Sequence, residues 1–271
     1  MIIRKPAVAG LFYPDDPNKL KNEIENYLQF SNNANNFEKV YGVVVPHAGY
    51  LYSGKTAGYA YNLLRDKKYK TVVIISPSHR EYFPGISVYD GDAYETPLGV
   101  VEIDKEAREE LIKDSKTISA GAQGHKQEHA AEVQIPFLQT VLSDFKIVPI
   151  IMGDQNKIFV DSLAEKISKI LNDDTLVVAS SDLSHYHTKQ EAFRMDSQVE
   201  MRINTFDYKG LQEDLGRNYC EACGGGGILS LMKALSVKTE IKSFTLDRSD
   251  SSDVTGDENE VVGYLSAAFY D

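Results

Sequence analysis

Three apolar runs in the chain close on polar segments that carry histidine: Tyr41 to His47 (YGVVVPH), Thr71 to His79 (TVVIISPSH) and Leu176 to His187 (LVVASSDLSHYH). Short apolar runs bounded by Pro, Ser or Asp read as buried strands. Between them the apolar residues recur three and four apart, the period of helices packed on a sheet. Asp16 and Pro17 read as an N-cap and first helical residue, with Leu20, Ile24, Tyr27 and Leu28 as an inward stripe to about Phe30. The Asn-rich stretch from Ser31 to Phe37 reads as a loop. Ser53 to Asp66 reads as a helix with Ala57, Tyr61 and Leu64 inward.

Short β pieces with turn residues between Pro84 and Asp104 predict a hairpin excursion, after which Asp104 caps a helix through Ile112. Phe145 to Ile151 is a further strand, and Phe159, Leu163, Ile167, Ile170 and Leu171 mark a helix. Thr188 and Glu191 form a capping box for a helix carrying Ala192, Met195, Val199 and Ile203. Another helix follows Gly224 to Gly227, with Ile228, Leu231 and Leu235 inward. Two late strands, Glu240 to Leu246 and Glu260 to Phe269, flank an acidic loop. Strands alternating with helices, with no internal repeat or linker, predict an α/β fold: a single-domain αβα sandwich over residues 1–271 with a mostly parallel or mixed central sheet.

In open α/β sheets ligands gather beyond the carboxyl ends of the strands. If the three runs are parallel neighbours, His47, His79 and His185 converge on one edge, as a mononuclear site for a divalent transition metal. Asp182, three residues before His185, is placed to accept an imidazole N–H, to act as a base or simply to cap the loop; His187 stands as an outer neighbour. Gly121 to Gln139 adds His125, Glu128, His129 and Glu132. His129 and Glu132, at i and i+3, are expected on one helical face, as ligands or as groups orienting the ligands; the alternative is a helix turn with solvated acids. Cys220 and Cys223 form a C-x-x-C pair without a second pair. Cys223 is expected at a helix N-terminus, where the dipole favours thiolate, against the plain reading of a small buried hydrophobe.

Gly49 to Thr56 (GYLYSGKT) matches the G-x-x-x-x-G-K-[ST] phosphate loop. Tyr50, Leu51 and Tyr52 fill its interior where a phosphate nest needs small residues, so a nucleotide-hydrolysing role for Lys55 is set aside.

The 271 residues carry 29 basic and 40 acidic side chains, a net charge of −11, and no basic run, which argues against nucleic acid and anionic membrane as partners. The first residues hold no apolar signal region and no long apolar stretch occurs, so a cytoplasmic protein is expected. Two cysteines cannot build a disulfide framework, in keeping with a reducing compartment.

The motifs RKPAVAGLFYP, VPHAGYLYSG, SPSH, EHAAEVQIPFL, SSDLSHY, CGGGGI and SSDVTGD, in this order along nearly the whole chain, resemble the Memo family. That resemblance implies a fold like the class III extradiol dioxygenases, which are non-haem iron enzymes. It places His47, His79 and His185 at the family's metal-binding histidines and Cys223 at the border of the same pocket. Iron is the first metal it implies, with copper or zinc as alternatives, and a radical-SAM companion protein as a partner. Three neutral imidazoles would leave a divalent site at +2 where two His and a carboxylate leave +1, which favours an anionic or phenolic ligand. The expected function is a dioxygenase-like oxidoreductase with Asp182, His129 and Cys223 as catalytic groups. The alternative is a peptide- or phosphopeptide-binding module using Tyr50, Tyr52 and the acidic loop near Asp253.

Overall fold

The computed structural model describes residues 1–30 and 37–271, so the Asn-rich loop predicted from Ser31 lies, through Asn36, outside the described residues. The chain runs β1 (Ile3–Arg4), α1 (Pro17–Phe30), β2 (Val40–Val45), α2 (Tyr50–Asn62), β3 (Thr71–Pro77), β4 (Ile86–Tyr89), β5 (Ala93–Thr96) and β6 (Gly99–Glu102). It continues through α3 (Lys105–Ile112), β7 (Ile118–Gly121), α4 (Ile135–Val141), β8 (Lys146–Met152), α5 (Lys157–Ile170), β9 (Thr175–Ser180) and β10 (His185–His187). It ends with α6 (Lys189–Asn204), α7 (Tyr208–Gly216), α8 (Gly225–Leu235), β11 (Lys242–Asp250), α9 (Ser252–Thr255) and β12 (Val261–Tyr270).

The central sheet has the order β10-β12-β2-β9-β3-β8-β4-β7, with β11 paired to β12. Strands β2, β9, β3 and β8 are mutually parallel, while β12 runs against β2 and β4 against β8, so the sheet is mixed. β1 pairs with the β5–β6 hairpin in a small separate sheet. The excursion predicted from Pro84 is therefore a hairpin only in its second half, since β4 joins the main sheet.

Successive residues of a strand face opposite sides, and here both sides are covered. Val43, Val45, Val72, Ile74, Leu176 and Val178 pack with Leu20, Ile24, Tyr61 and Phe137, from α1, α2 and α4. Val44, Val73, Ile75, Val177 and Ala179 pack with Leu163, Ile167, Val199, Leu211 and Leu231, from α5 to α8. Each such Val, Leu, Ile or Phe side chain, fully buried, contributes ~1.5–3 kcal/mol, and this double burial is why the central strands read as continuous apolar runs. The α8 layer lies directly on β2, where a Cβ on Gly42 would stand 2.5 Å from Leu231 Cδ1.

Asp16 accepts the Lys19 amide (2.8 Å) and Asp104 that of Ala107 (3.0 Å), while Thr188 and Glu191 close their capping box, so these helices start where the sequence places them. Other expectations differ, among them β11, which runs to Asp250 instead of ending at Leu246. α2 begins at Tyr50, three residues before the expected Ser53, so the phosphate-loop lookalike is the first turns of a helix with Lys55 on its exposed side. α7 was not expected from the sequence, although Tyr208, Leu211 and Leu215 form a short apolar stripe; its N-cap is Asp207, which accepts the Gly210 amide (2.8 Å). Among the described residues no helix is long and apolar enough to cross a membrane.

Candidate metal centre

Parallel pairing brings the ends of β2, β9 and β3 to one edge: Val45 pairs with Ser180, and Ile75 with Ala179. Pro46 cannot continue β2 and His47 follows it; His79 lies two residues past β3; Ser181 and Asp182 leave β9. The loop before α4 brings Glu128 and His129 over the same edge, and the turn before α8 brings Cys223 from the other side of the sheet.

Two donor clusters result among the described residues: His47, His79 and Cys223, and His79, Glu128 and His129, with donor atoms in each set within 4.8 Å of one another. The His47 and His79 ring centroids are 5.0 Å apart, and His129 is 5.5 Å from His47 and 4.8 Å from His79.

Hydrogen bonding fixes which nitrogens are free. Ser180 Oγ donates its single proton to the Ala130 carbonyl (2.8 Å), so it accepts from Gln134 Nε2 (2.8 Å) and from His47 Nδ1 (2.9 Å). Gln134 is itself held by Tyr61, whose hydroxyl donates to Oε1 (2.7 Å). His47 therefore presents an unprotonated Nε2, which stands 3.1 Å from Cys223 Sγ. Glu128 does the same for His79: Oε1 accepts from Nδ1 (2.9 Å) and Oε2 from the His79 amide (2.6 Å). Burial pushes the Glu128 carboxyl up, but the hydrogen bonds it accepts from the His79 ring and from the amides of His79 and Ala130 outweigh it and hold the group down at about 2. It is thus an acceptor only, and His79 also presents Nε2.

Burial, and then neighbouring His79, push His47 well below the ordinary histidine range. Burial and then His47 bring His129 down to about 4. Both rings are neutral near pH 7, as metal ligands must be. His129 Nδ1 is buried without a hydrogen-bond partner; it lies 3.2 Å from Glu128 Oε1 but is not aligned with it. Asp182 accepts the His47 amide at Oδ1 (2.7 Å), while its Oδ2 lies 4.0 Å from His47 Nε2. Burial raises its carboxyl above the usual range.

Several sequence expectations are corrected here. His185 lies five residues past β9 in a strand of its own, paired with β12, and belongs to neither cluster. Its Nδ1 donates to the Leu183 carbonyl (2.8 Å), which leaves Nε2 free beside a cleft of about 580 Å³ that Cys223 also lines. His129 and Glu132 do not share a helical face, because His129 lies in irregular chain and only Glu132 enters helical structure. Glu132 points away, into a buried pair with Arg4. His125 is occupied at both nitrogens, by Tyr94 Oη (2.7 Å) and the Ser87 carbonyl (3.1 Å), and does not orient a ligand. His187 meets Glu221 (3.1 Å) instead of the cluster. Cys223 precedes the N-cap Gly224, yet burial, and then the Asp182 carboxylate, push its thiol up, overriding any dipole effect. Ser180 and Gln134, which hold His47, were not singled out from the sequence; their signal was only that both are polar at otherwise apolar positions.

A family model described as Memo-like protein matches residues 4–268. The chain belongs to the Memo family. A MEMO1 family protein of Thermoplasma volcanium is 40% identical, covering 98% of this chain and 97% of that protein. Another, of Nitrosopumilus maritimus, is 37% identical over 99% of this chain and all of the relative. Among solved structures, that of the uncharacterized protein JW3007 from Escherichia coli K12 aligns with a TM-score of 0.51 at 12% identity, covering 84% of this chain and 99% of that one. This last likeness is one of fold alone. Membership in the family and the α/β architecture thus rest on independent comparisons, and the donor clusters lie within the matched residues.

Proposed function

We propose that this Memo family chain holds one transition metal through His47 Nε2, His79 Nε2 and Cys223 Sγ, iron first and copper or zinc next, and acts as an oxidoreductase on a small anionic or phenolic molecule. The observation that carries this reading is that Ser180 and Glu128 each take the Nδ1 proton of a histidine, aiming two lone pairs at one thiol-lined point. Such outer partners fix ring orientation and raise ligand basicity. A Cys223 thiolate in place of the third imidazole leaves a divalent ion at net +1, the charge that two His and a carboxylate would give, and its softness suits iron, copper(I) or zinc. The relation to class III extradiol dioxygenases that the sequence motifs imply is part of this reading.

The metal supplies Lewis acidity and electron exchange at the cluster. Asp182 accepts the His47 amide on one oxygen and turns the other toward the His47 ring, and burial raises its carboxyl above the usual range. His129, whose Nδ1 is buried without a partner, moves a proton of the bound molecule in this reading. Phe12, its ring centroid 4.7 Å from that of His129, shields this side from water. His185 and the cleft beside it form the approach for the substrate. The peptide-module alternative loses one of its supports, since Tyr50 is buried and donates to the Val133 carbonyl (2.6 Å).

Anaerobic reconstitution with Fe(II) followed by a screen of catechols for O₂ uptake tests the reading. One Fe(II) per chain, lost in His47→Ala and in His79→Ala, together with uptake on at least one catechol, is the expected result. Protein that takes up no iron, or uptake unaffected by either substitution, overturns it.

A further inference from the structure

A buried ion pair helps tie the N-terminal segment to the chain that carries the candidate metal centre. Arg4 is 6% exposed and Glu132 fully buried, and their side chains are joined by Nη1 and Oε2. Glu132 spends its other lone pairs on the N-terminal arm, accepting the amides of Ala7 (2.8 Å) and Val8 (3.0 Å) and the Tyr13 hydroxyl (2.7 Å). Arg4 reaches the other way. Its Nε donates to the His125 carbonyl (2.9 Å) and its Nη2 to the Glu128 carbonyl (2.6 Å), with the guanidinium lying over the Tyr94 ring at 4.8 Å. The two carbonyls bracket the chain that carries Glu128, the carboxylate that fixes the tautomer of His79. From the same arm, Phe12 packs on His129.

We infer that Arg4, with Glu132 as its counterion, is a positioning residue for the metal centre: its fork holds the backbone of Glu128 and, through the Glu128 carboxylate, the orientation of His79. The inference rests on the metal reading above for its functional meaning, though not for its geometry. Lysine cannot substitute, because one ammonium presents its donors from a single point and does not span the His125 carbonyl, the Glu128 carbonyl and Glu132 together. The half of the site made by His47 and Cys223 is held by Ser180 and Asp182, which Arg4 does not touch, and it meets the Arg4-held segment only where Ser180 Oγ donates to the Ala130 carbonyl.

The test uses the full chain and Co(II) as the probe, comparing wild type with Arg4→Lys, with the isosteric Glu132→Gln in case Arg4→Lys does not fold, and with Arg248→Met. Arg248 pairs with Glu200 (3.2 Å) between β11 and α6, contacts none of these groups, and reports a general loss of stability. Expected are a ten- to hundredfold loss of Co(II) affinity in the Arg4 or Glu132 variant, retention of the thiolate-to-cobalt absorption from Cys223, and wild-type affinity in Arg248→Met. ¹⁵N-histidine spectra of the metal-free protein give a second readout: His79 protonated at Nδ1 in wild type and a mixture of tautomers in the variant. A folded variant with unchanged Co(II) affinity and an intact Nδ1–H tautomer overturns the inference. Wild-type protein that binds no Co(II) overturns the metal reading instead, and the histidine spectra then decide the positioning role alone.

Discussion

Cys223 Sγ stands 3.1 Å from His47 Nε2, although the two residues are 176 positions apart in the chain. The contact joins the end of β2 to the turn before α8, across the end of β9, and three local devices hold it. Pro46 ends β2 just before His47, Ser180 Oγ takes the Nδ1 proton, and the Asp182 amide donates to Cys223 Sγ (3.3 Å). The sulfur thus accepts an amide and faces an imidazole lone pair, the geometry on which the proposed metal site rests.

Glu128→Gln keeps the size of the side chain but removes its charge, and its amide group turns one acceptor position into a donor facing an N–H. The expected result is a folded protein whose metal affinity falls about ten- to hundredfold, the usual cost of losing such an outer partner. Isothermal titration with Co(II) measures it; affinity within twofold of wild type would show that Glu128 does not orient His79.

Gly224 and Gly227 are expected to differ sharply on substitution. A Cβ at Gly224 would meet the Ser180 carbonyl oxygen at 2.2 Å and Ser181 Cβ at 2.9 Å, both on the segment that carries the site. At Gly227 the nearest atom is Ile75 Cγ2 at 3.2 Å, a side chain able to give. Gly224→Ala should cost about 1–3 kcal/mol in urea unfolding and displace Cys223, lowering metal occupancy as well. Gly227→Ala should remain within about 1 kcal/mol of wild type, because the helix propensity gained offsets the contact. Equal losses in the two variants would contradict this packing.

Asp196 on α6 is 3% exposed and accepts the Ser184 amide (3.1 Å), next to His185. Burial raises its carboxyl from 3.8 to about 6, against the opposing Ser184 bonds. A carboxyl with a higher pKa in the folded state binds its proton more tightly there, so its contribution is full below about pH 4 and is lost as the pH rises through about 6, by about 3 kcal/mol at most. The stability of wild type relative to Asp196→Asn should therefore fall between pH 4 and 6 and level off above. Urea midpoints across that range check the sign, and a rising difference would refute it.

The sequence already showed what local chemistry dictates. The double-sided strands are continuous apolar runs, the caps at Asp16, Asp104 and Thr188 are side chains that bond to their own helix turn, and His47 and His79 follow strands that end nearby. What it did not show depends on distant partners. Whether Cys223 or His185 completes the donor set turns on how the α8 layer meets the sheet edge, and neighbours in sequence say nothing of that. Spacing suggested that Glu132 faces His129, but the Arg4 guanidinium more than a hundred residues away supplies a stronger partner and turns it inward. Tyr50 looked like loop surface because its neighbours matched a phosphate-loop pattern, whereas the packing of α2 buries it.

Metal content of protein purified without oxygen, compared among wild type, Cys223→Ala and His185→Ala, bears most directly on the donor set. One equivalent of metal in wild type, retained in His185→Ala and lost in Cys223→Ala, is the expected result. Metal retained without Cys223 and lost without His185 would contradict it.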